Sequence, residues 1–265
     1  MANLAGSTAI ISGGLGEIAQ AIALAMARAG ANVALGDIRA PQDAEPILAQ
    51  LRASGVRARY DHVDIAEPAA VERWVRDAEA DLGVPDLVIS NAATCTAASV
   101  RSITPEAWNR ELDINLNGAL YLSQNAARRL VAANRPGRIV FISSWAAEKA
   151  HPDIPAYCVS KAALRMLCKC LALNLAADGI LVNELALGFV NAGLSGRAFR
   201  LYPEVQARST AWVPIQHLIE PEEVAAEVLH LCDPAVHHMT GSVVLMDGGL
   251  SMTNISHASR GYGKD

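Results

Sequence analysis

The 265-residue chain is predicted to fold as one α/β domain, a doubly wound parallel sheet of about seven strands with helices on both faces. Three observations carry that expectation. Short β-rich runs ending in Gly, Asp or Asn alternate along the chain with Ala/Leu-rich stretches of helical period. Several runs are apolar at every position, as in Ala9-Ile10-Ile11, Leu87-Val88-Ile89 and Ile139-Val140-Phe141-Ile142. Strands apolar on both faces belong in a parallel sheet covered on both sides. Finally, no low-complexity linker and no repeat of roughly 20–50 residues divides the chain, which is long enough to bury a large core.

The elements follow in order. A first strand at 8–12 runs into Gly13-Gly14, and a helix at 17–29 carries apolar residues at helical spacing. A strand at 32–37 closes on Asp37 and is followed by a helix at 44–54. A third strand at 57–63 ends at Asp64, before a helix at 68–82 that opens on Pro68. The strand at 86–90 ends at Asn91, and one long helix is expected over 105–134. The strand at 138–143 leads to a helix at 156–177, and the strand at 180–186 to a segment, 193–216, that breaks the rhythm. An irregular stretch that long in a compact domain reads as a lid or binding loop. A helix at 221–232 and a strand at 242–246 complete the domain, assigned to 1–252, and 253–265 reads as a polar tail.

Composition narrows the function classes. The chain is 52% hydrophobic and 18% charged, without the roughly 20-residue apolar run of a membrane span. Its first residues lack the basic and apolar segments of a signal peptide, so a cytoplasmic address is expected. The net charge of −5, with no block of Lys and Arg, argues against a nucleic-acid partner. Five cysteines with no C-x-x-C pair read as free thiols of a reducing compartment, and no metal site is expected.

Two motifs carry chemistry. Ser12-Gly13-Gly14-Leu15-Gly16-Glu17-Ile18 follows a strand and opens a helix. Bare glycine backbone and a helix N-terminus suit a pyrophosphate. Asp37 ends the second strand, where an acid meets the ribose hydroxyls of a dinucleotide. One like-charge contact at about 4 Å and a dielectric near 20 costs on the order of 4 kcal/mol, so Asp37 opposes a 2′-phosphate and favours NAD. Glu17 adds negative charge in the same sense. The second motif is Tyr157-Cys158-Val159-Ser160-Lys161, whose ends share a helix face. Making tyrosine a base near neutrality takes about 3 pK units, roughly 4 kcal/mol. An ammonium about 5 Å away at a dielectric near 20 supplies about 3 kcal/mol.

With these residues in place, the chain resembles the short-chain dehydrogenase/reductase family over nearly its whole length. Ser144 lies thirteen residues before Tyr157, and Asn91-Ala92-Ala93, Asn115 in Asp113-Ile114-Asn115, Asp64 and Asp247-Gly248-Gly249 fall in the family's order. The resemblance implies a Rossmann-type fold and hydride transfer between NAD(H) and a secondary alcohol or ketone. It implies Asn115, Ser144, Tyr157 and Lys161 as catalytic residues, with Tyr157 as acid or base, Ser144 on the substrate oxygen and Lys161 lowering the tyrosine pKa. Cofactor contacts are implied at Gly13, Leu15, Glu17, Ile18, Asp37, Asp64, Ile65, Asn91, Tyr157, Lys161 and Val190. The chain departs from the family pattern with Ser12 for Thr, Glu17 and Ala19 for two glycines, Leu187 for Pro, Ala192 for Thr, and His217 or Leu218 for Arg.

Substrate contacts are expected from the loops after the fifth and sixth strands. Ser144, Glu148, His151, Tyr157 and Asn191 are the polar candidates, and Trp145, Leu194 and Trp212 the apolar ones. A sugar or polyol is the first substrate expectation. A 3-oxoacyl or other ketone reductase stays open, as does a non-catalytic nucleotide sensor or scaffold. The long helices at 105–134 and 156–177 are candidate faces for a homodimer or homotetramer.

Overall fold

The computed structural model describes residues 2–253. The expected tail, 253–265, lies outside the described residues apart from Thr253. Seven strands form one sheet: β1 (Thr8–Ser12), β2 (Asn32–Asp37), β3 (Ala58–His62), β4 (Leu87–Ser90), β5 (Gly137–Ser144), β6 (Ile180–Leu187) and β7 (Val243–Met246). Their order is β3-β2-β1-β4-β5-β6-β7, and every neighbouring pair is parallel. The order reverses between β1 and β4, which leaves a crevice at their C-terminal ends, the place where open α/β sheets bind ligands.

Residues along a strand face opposite sides in turn, and the two cores follow that alternation. Ala9 and Ile11 of β1 join one apolar cluster, with Ile22, Ala23 and Met26 of α1 (Glu17–Arg28), Ile47 and Leu51 of α2 (Glu45–Ala53), and Val224 and Val228 of α9 (Pro221–Cys232). Ile10 faces the other cluster, with Trp74 and Val75 of α3 (Pro68–Leu82), Leu122 and Ala126 of α5 (Gly118–Ala132), and Leu164 and Cys168 of α6 (Pro155–Leu175).

Two expectations are corrected. The single helix at 105–134 is α4 (Pro105–Leu112) and α5 joined by a π turn, Asp113–Asn117. The wider turn accompanies Asn115, whose side chain is buried in three hydrogen bonds; π turns recur at functional sites for this reason. The irregular segment at 193–216 holds two helices, α7 (Gly193–Leu201) and α8 (Pro203–Trp212). α7 buries only Gly196 and Phe199, and α8 only Ser209, so neither leaves the apolar stripe that reveals a helix in sequence.

α6 is fastened to the sheet by charge as well as packing. Glu184 of β6 is fully buried, and Arg165 of α6 binds it through Nε and Nη2 at 3.1–3.2 Å. One helical turn earlier, Lys161 donates from Nζ to the Ile142 carbonyl of β5 at 3.0 Å. Breaking a buried pair by removing one partner strands the other charge. Arg165→Met is expected to cost roughly 3–5 kcal/mol in urea unfolding, and adding Glu184→Leu to recover most of it. A single variant as stable as the parent would show that the pair does not hold α6.

Candidate active site

The crevice is built on hydrogen bonds between the ends of β1 and β4. Ser12 Oγ accepts from the amides of Asn91 and Ala92, both at 3.1 Å, the bonds a Thr would make there. Asn91 Nδ2 donates back to the carbonyls of Ser12 (3.1 Å) and Gly13 (3.4 Å). Gly13 has φ +63°, and a Cβ on Gly14 would stand 2.7 Å from Leu35 Cβ, so the turn lies bare against β2 and β4. The first turn of α1 then leaves the amides of Glu17, Ile18 and Ala19 outside the helical ladder. A bare turn followed by free amides fits the diphosphate of a dinucleotide.

Acids line the way from this turn. The Asp37 carboxylate accepts from the amides of Leu15 (3.0 Å) and Arg39 (3.1 Å), with Arg39 Nε 3.6 Å away. Asp64 accepts from the Ala66 amide at 2.9 Å and binds Arg110 of α4 at 2.7 Å. Ile65 beside it is buried, and Val190 is buried in a bridge with Ile219. Glu17 corrects a charge expectation. It is not a bare negative charge in the cradle, because its carboxylate accepts from the Gly193 amide (2.8 Å) and from Arg200 (2.9 Å).

The other expected residues gather at the end of β5. Asn115 accepts from the Thr94 amide (2.8 Å) and donates to the Thr94 carbonyl (2.9 Å) and Ser160 Oγ (3.0 Å). Ser160 Oγ donates to the Tyr157 carbonyl at 2.8 Å, tying the π turn to the first turns of α6. Ser144 Oγ accepts from the Ala146 amide at 3.1 Å and is hydrogen-bonded to the Tyr157 hydroxyl. Lys161 Nζ stands 5.5 Å from the centre of the Tyr157 ring.

Burial acts on both members of this pair. Burial raises the Tyr157 pKa, the Ser144 hydrogen bond offsets part of that, and the charges of Cys95, Glu111 and Cys158 raise it further. In the chain alone, desolvation therefore outweighs the lowering expected from the lysine. Burial also pushes the Lys161 pKa down to about 8, against opposing charges from Glu184, Cys95 and Glu111.

Glu111 escaped the sequence reading. It is fully buried in α4, accepts from the Thr96 amide at 2.9 Å, and has its pKa raised by burial. Its position one turn before Asn115 was the available signal.

On the substrate side, Trp145 is buried beside Ser144 and meets His151 edge-on at 4.7 Å and Phe189 at 5.6 Å. Phe189 in turn lies 6.4 Å from Phe199 and from Trp212. Two polar candidates also contact neighbouring elements. Glu148 pairs with Arg165 at 3.4 Å. Asn191 donates to Glu220 (3.0 Å) and accepts from Gln206 (3.3 Å). Leu194 of α7 is partly exposed, and His217 Nδ1 stands 3.2 Å from the Leu218 carbonyl.

A parallel seven-stranded sheet with a glycine turn at its switch point and a Ser–Tyr–Lys cluster at the end of β5 defines a nucleotide-linked oxidoreductase. The chain belongs to the short-chain dehydrogenase/reductase family, enzymes that act on alcohol groups; a family model described as enoyl-(acyl carrier protein) reductase matches residues 15–251. It is 30% identical to a cis-4-hydroxycyclohexanecarboxylate dehydrogenase of Sinomonas cyclohexanicum, over 91% of this chain and 95% of that one. The structure of an NAD+-bound xylitol dehydrogenase superposes with a TM-score of 0.87 at 28% identity, covering 93% of this chain and 99% of the other. A structure from Agrobacterium tumefaciens, assigned to a 2-deoxy-d-gluconate 3-dehydrogenase and holding NADP, superposes with a TM-score of 0.86 at 27% identity, covering 95% and 98%. Among the described residues, no helix is long and apolar enough to cross a membrane.

The lowered Lys161 pKa has a measurable consequence. A drop from 10.5 to about 8 corresponds to roughly 3 kcal/mol that the folded chain loses while the lysine is charged. That penalty is full below pH 8 and fades as pH rises to 10.5. Lys161→Met is therefore expected to be more stable than the parent at pH 7 by up to about that amount. The gap should close between pH 8 and 10.5 in paired thermal melts; a gap independent of pH would contradict the assignment.

Proposed function

We propose that the chain transfers a hydride between NAD(H) and a secondary alcohol or ketone. The observation that carries this is the cluster in which Asn115 and Ser160 hold the Tyr157 backbone, Ser144 meets the Tyr157 hydroxyl and the buried Lys161 ammonium lies beside the ring, with β4 between them and the strand that leads into the glycine turn. The bound dinucleotide supplies the hydride acceptor or donor. Tyr157 takes the proton from the alcohol as tyrosinate, or gives its hydroxyl proton to the oxygen of the ketone as hydride arrives at the carbon. Ser144 holds the reacting oxygen by a hydrogen bond that strengthens as charge develops there. Lys161 carries the positive charge that favours tyrosinate, and Asn115 fixes the loop that backs the pair.

Gly13, Leu15, Glu17, Ile18 and Asn91 form the proposed diphosphate cradle. Asp64, Ile65 and Val190 would hold the adenine and nicotinamide ends, and Tyr157 and Lys161 the nicotinamide ribose. Asp37 supports NAD over NADP, since its carboxylate sits at the end of β2 with two backbone amides holding it. Five free cysteines suit a cytoplasmic setting.

The substrate reading is a sugar or polyol alcohol, with Ser144, Tyr157 and His151 as its polar contacts. One observation favours a second reading, an alicyclic alcohol. The wall beside Ser144 is aromatic, and Glu148 and Asn191 are engaged elsewhere. NAD reduction with xylitol, sorbitol and substituted cyclohexanols separates the two.

Tyr157→Phe is expected to lower kcat/KM by on the order of 10³ while NADH still binds, and Asp37→Ser to cut the NAD-to-NADP preference by about 100-fold or more. Undiminished turnover in the first variant, or an unchanged ratio in the second, defeats the corresponding role.

We also propose a homo-oligomer. Val159, Met166 and Leu173 recur every seven residues on the outer face of α6 and are exposed, as are Val243 and Leu245 of the edge strand β7. Met166→Lys with Leu173→Glu is expected to yield a smaller species by light scattering; a parent chain that runs as a monomer defeats the idea.

A further inference from the structure

Glu17 opens α1, in the turn that makes the cradle, and it is the acid of that first turn. Its carboxylate reaches a second helix. Oε2 accepts from the Gly193 amide at 2.8 Å and lies 3.3 Å from Arg200 Nη2, while Oε1 accepts from Arg200 Nη1 at 2.9 Å. Gly193 is the first residue of α7, has φ +58°, and a Cβ there would stand 3.6 Å from Ile18 Cδ1. The start of α7 therefore lies directly on the first turn of α1. The N-cap residue of α7 is Ala192, which has no side-chain hydrogen bond to offer, so Glu17 supplies the missing acceptor from another helix.

One carboxylate thus stands at the positive ends of two helices. Burial alone would raise its pKa, but the Gly193 amide, Arg200 and the nearby charge of Arg197 overcome that and hold it below the usual carboxylate range. The anion is permanent, and it sits where a diphosphate is expected to bind. Left bare, it would repel that ligand. The guanidinium of Arg200, 183 positions away in sequence and closed onto Glu17 in space, cancels it.

We propose that Arg200 is a positioning residue for the dinucleotide. Paired with Glu17, it neutralises the acid in the phosphate cradle and latches α7 over the crevice, so that cradle and lid form one electrostatic unit. The inference rests on the dinucleotide reading above. α7 precedes α8, whose Trp212 belongs to the aromatic wall of the substrate side, so the latch also links cofactor binding to the shape of that wall.

Two measurements test this. Hydrogen–deuterium exchange on the ligand-free chain reads the latch: amides over residues 193–201 are expected to exchange roughly tenfold faster in Glu17→Gln, because the helix loses its acceptor and its anchor together. Unchanged exchange overturns the latch. NADH titration by fluorescence reads the masking in a double-mutant cycle. Arg200→Gln is expected to weaken NADH at least about tenfold, since it exposes Glu17 to the diphosphate, and Arg200→Lys to keep most of the affinity. In the Glu17→Gln background, Arg200→Gln is expected to change affinity by less than about threefold, because no anion is left to mask. An equal loss in both backgrounds means that Arg200 touches the diphosphate itself, and no loss in either means that the pair is only structural; each overturns the masking role. Should the parent chain bind no NADH, the dinucleotide reading fails and the masking role with it, while the exchange measurement still decides the latch.

Discussion

The site depends on one buried charge, the ammonium of Lys161. A lysine that is 2% exposed has lost its hydration, and the structure replaces it with the Ile142 carbonyl and the face of Tyr157. Those partners exist only because α6 lies across the ends of β5 and β6 in one register. The Arg165–Glu184 pair fixes that register a turn further along the helix, in the same low-dielectric layer. The lysine is thus held from both sides, through β5 by its own hydrogen bond and through β6 by its neighbour's. A helix seated by apolar contacts alone tolerates small slides, whereas displacing α6 would separate one buried charge from its carbonyl and two others from each other.

The same logic organises the far side of the crevice, where negative rather than positive charge is enclosed. Asp37 is held by two amides and Arg39, Asp64 by an amide and Arg110, and Glu17 by an amide and Arg200. Each acid takes a backbone donor for direction and an arginine for charge. The pairing with α7 explains how the first turn tolerates an acid where the family pattern has glycine: the Gly193 amide and Arg200 offset the carboxylate of Glu17.

The sheet was legible because each buried strand must be apolar on both faces, a property visible in a few consecutive residues such as 139–142 of β5. Strand ends were legible to within a residue or two for the same reason. Asn115, Ser144, Tyr157 and Lys161 were legible as spaced motifs, and the fold does bring them together. What stayed hidden were relations between distant segments. Nothing local marks the bond from Glu17 to Gly193 and Arg200, which crosses more than 170 positions, nor the capture of Asn191 by Glu220 and Gln206. The helices α7 and α8 were unreadable because they bury so little, and the π turn because backbone pitch leaves no trace in residue type.

The pKa directions at the centre of the site carry the argument one step further. Free tyrosine and lysine titrate close together, near pH 10. In the folded chain they separate, with Tyr157 raised and Lys161 lowered to about 8. In the proposed reaction Tyr157 is thereby kept as a proton donor, the form that a ketone needs, beside a lysine whose charge is made easier to lose by burial. Running the reaction toward ketone requires tyrosinate, and so requires added positive charge beside the phenol. The proposed proton chemistry is for that reason coupled to what binds in the crevice: the protein would supply the desolvation and the hydrogen bond from Ser144, and the charge of the ligand would set which way the tyrosine proton moves.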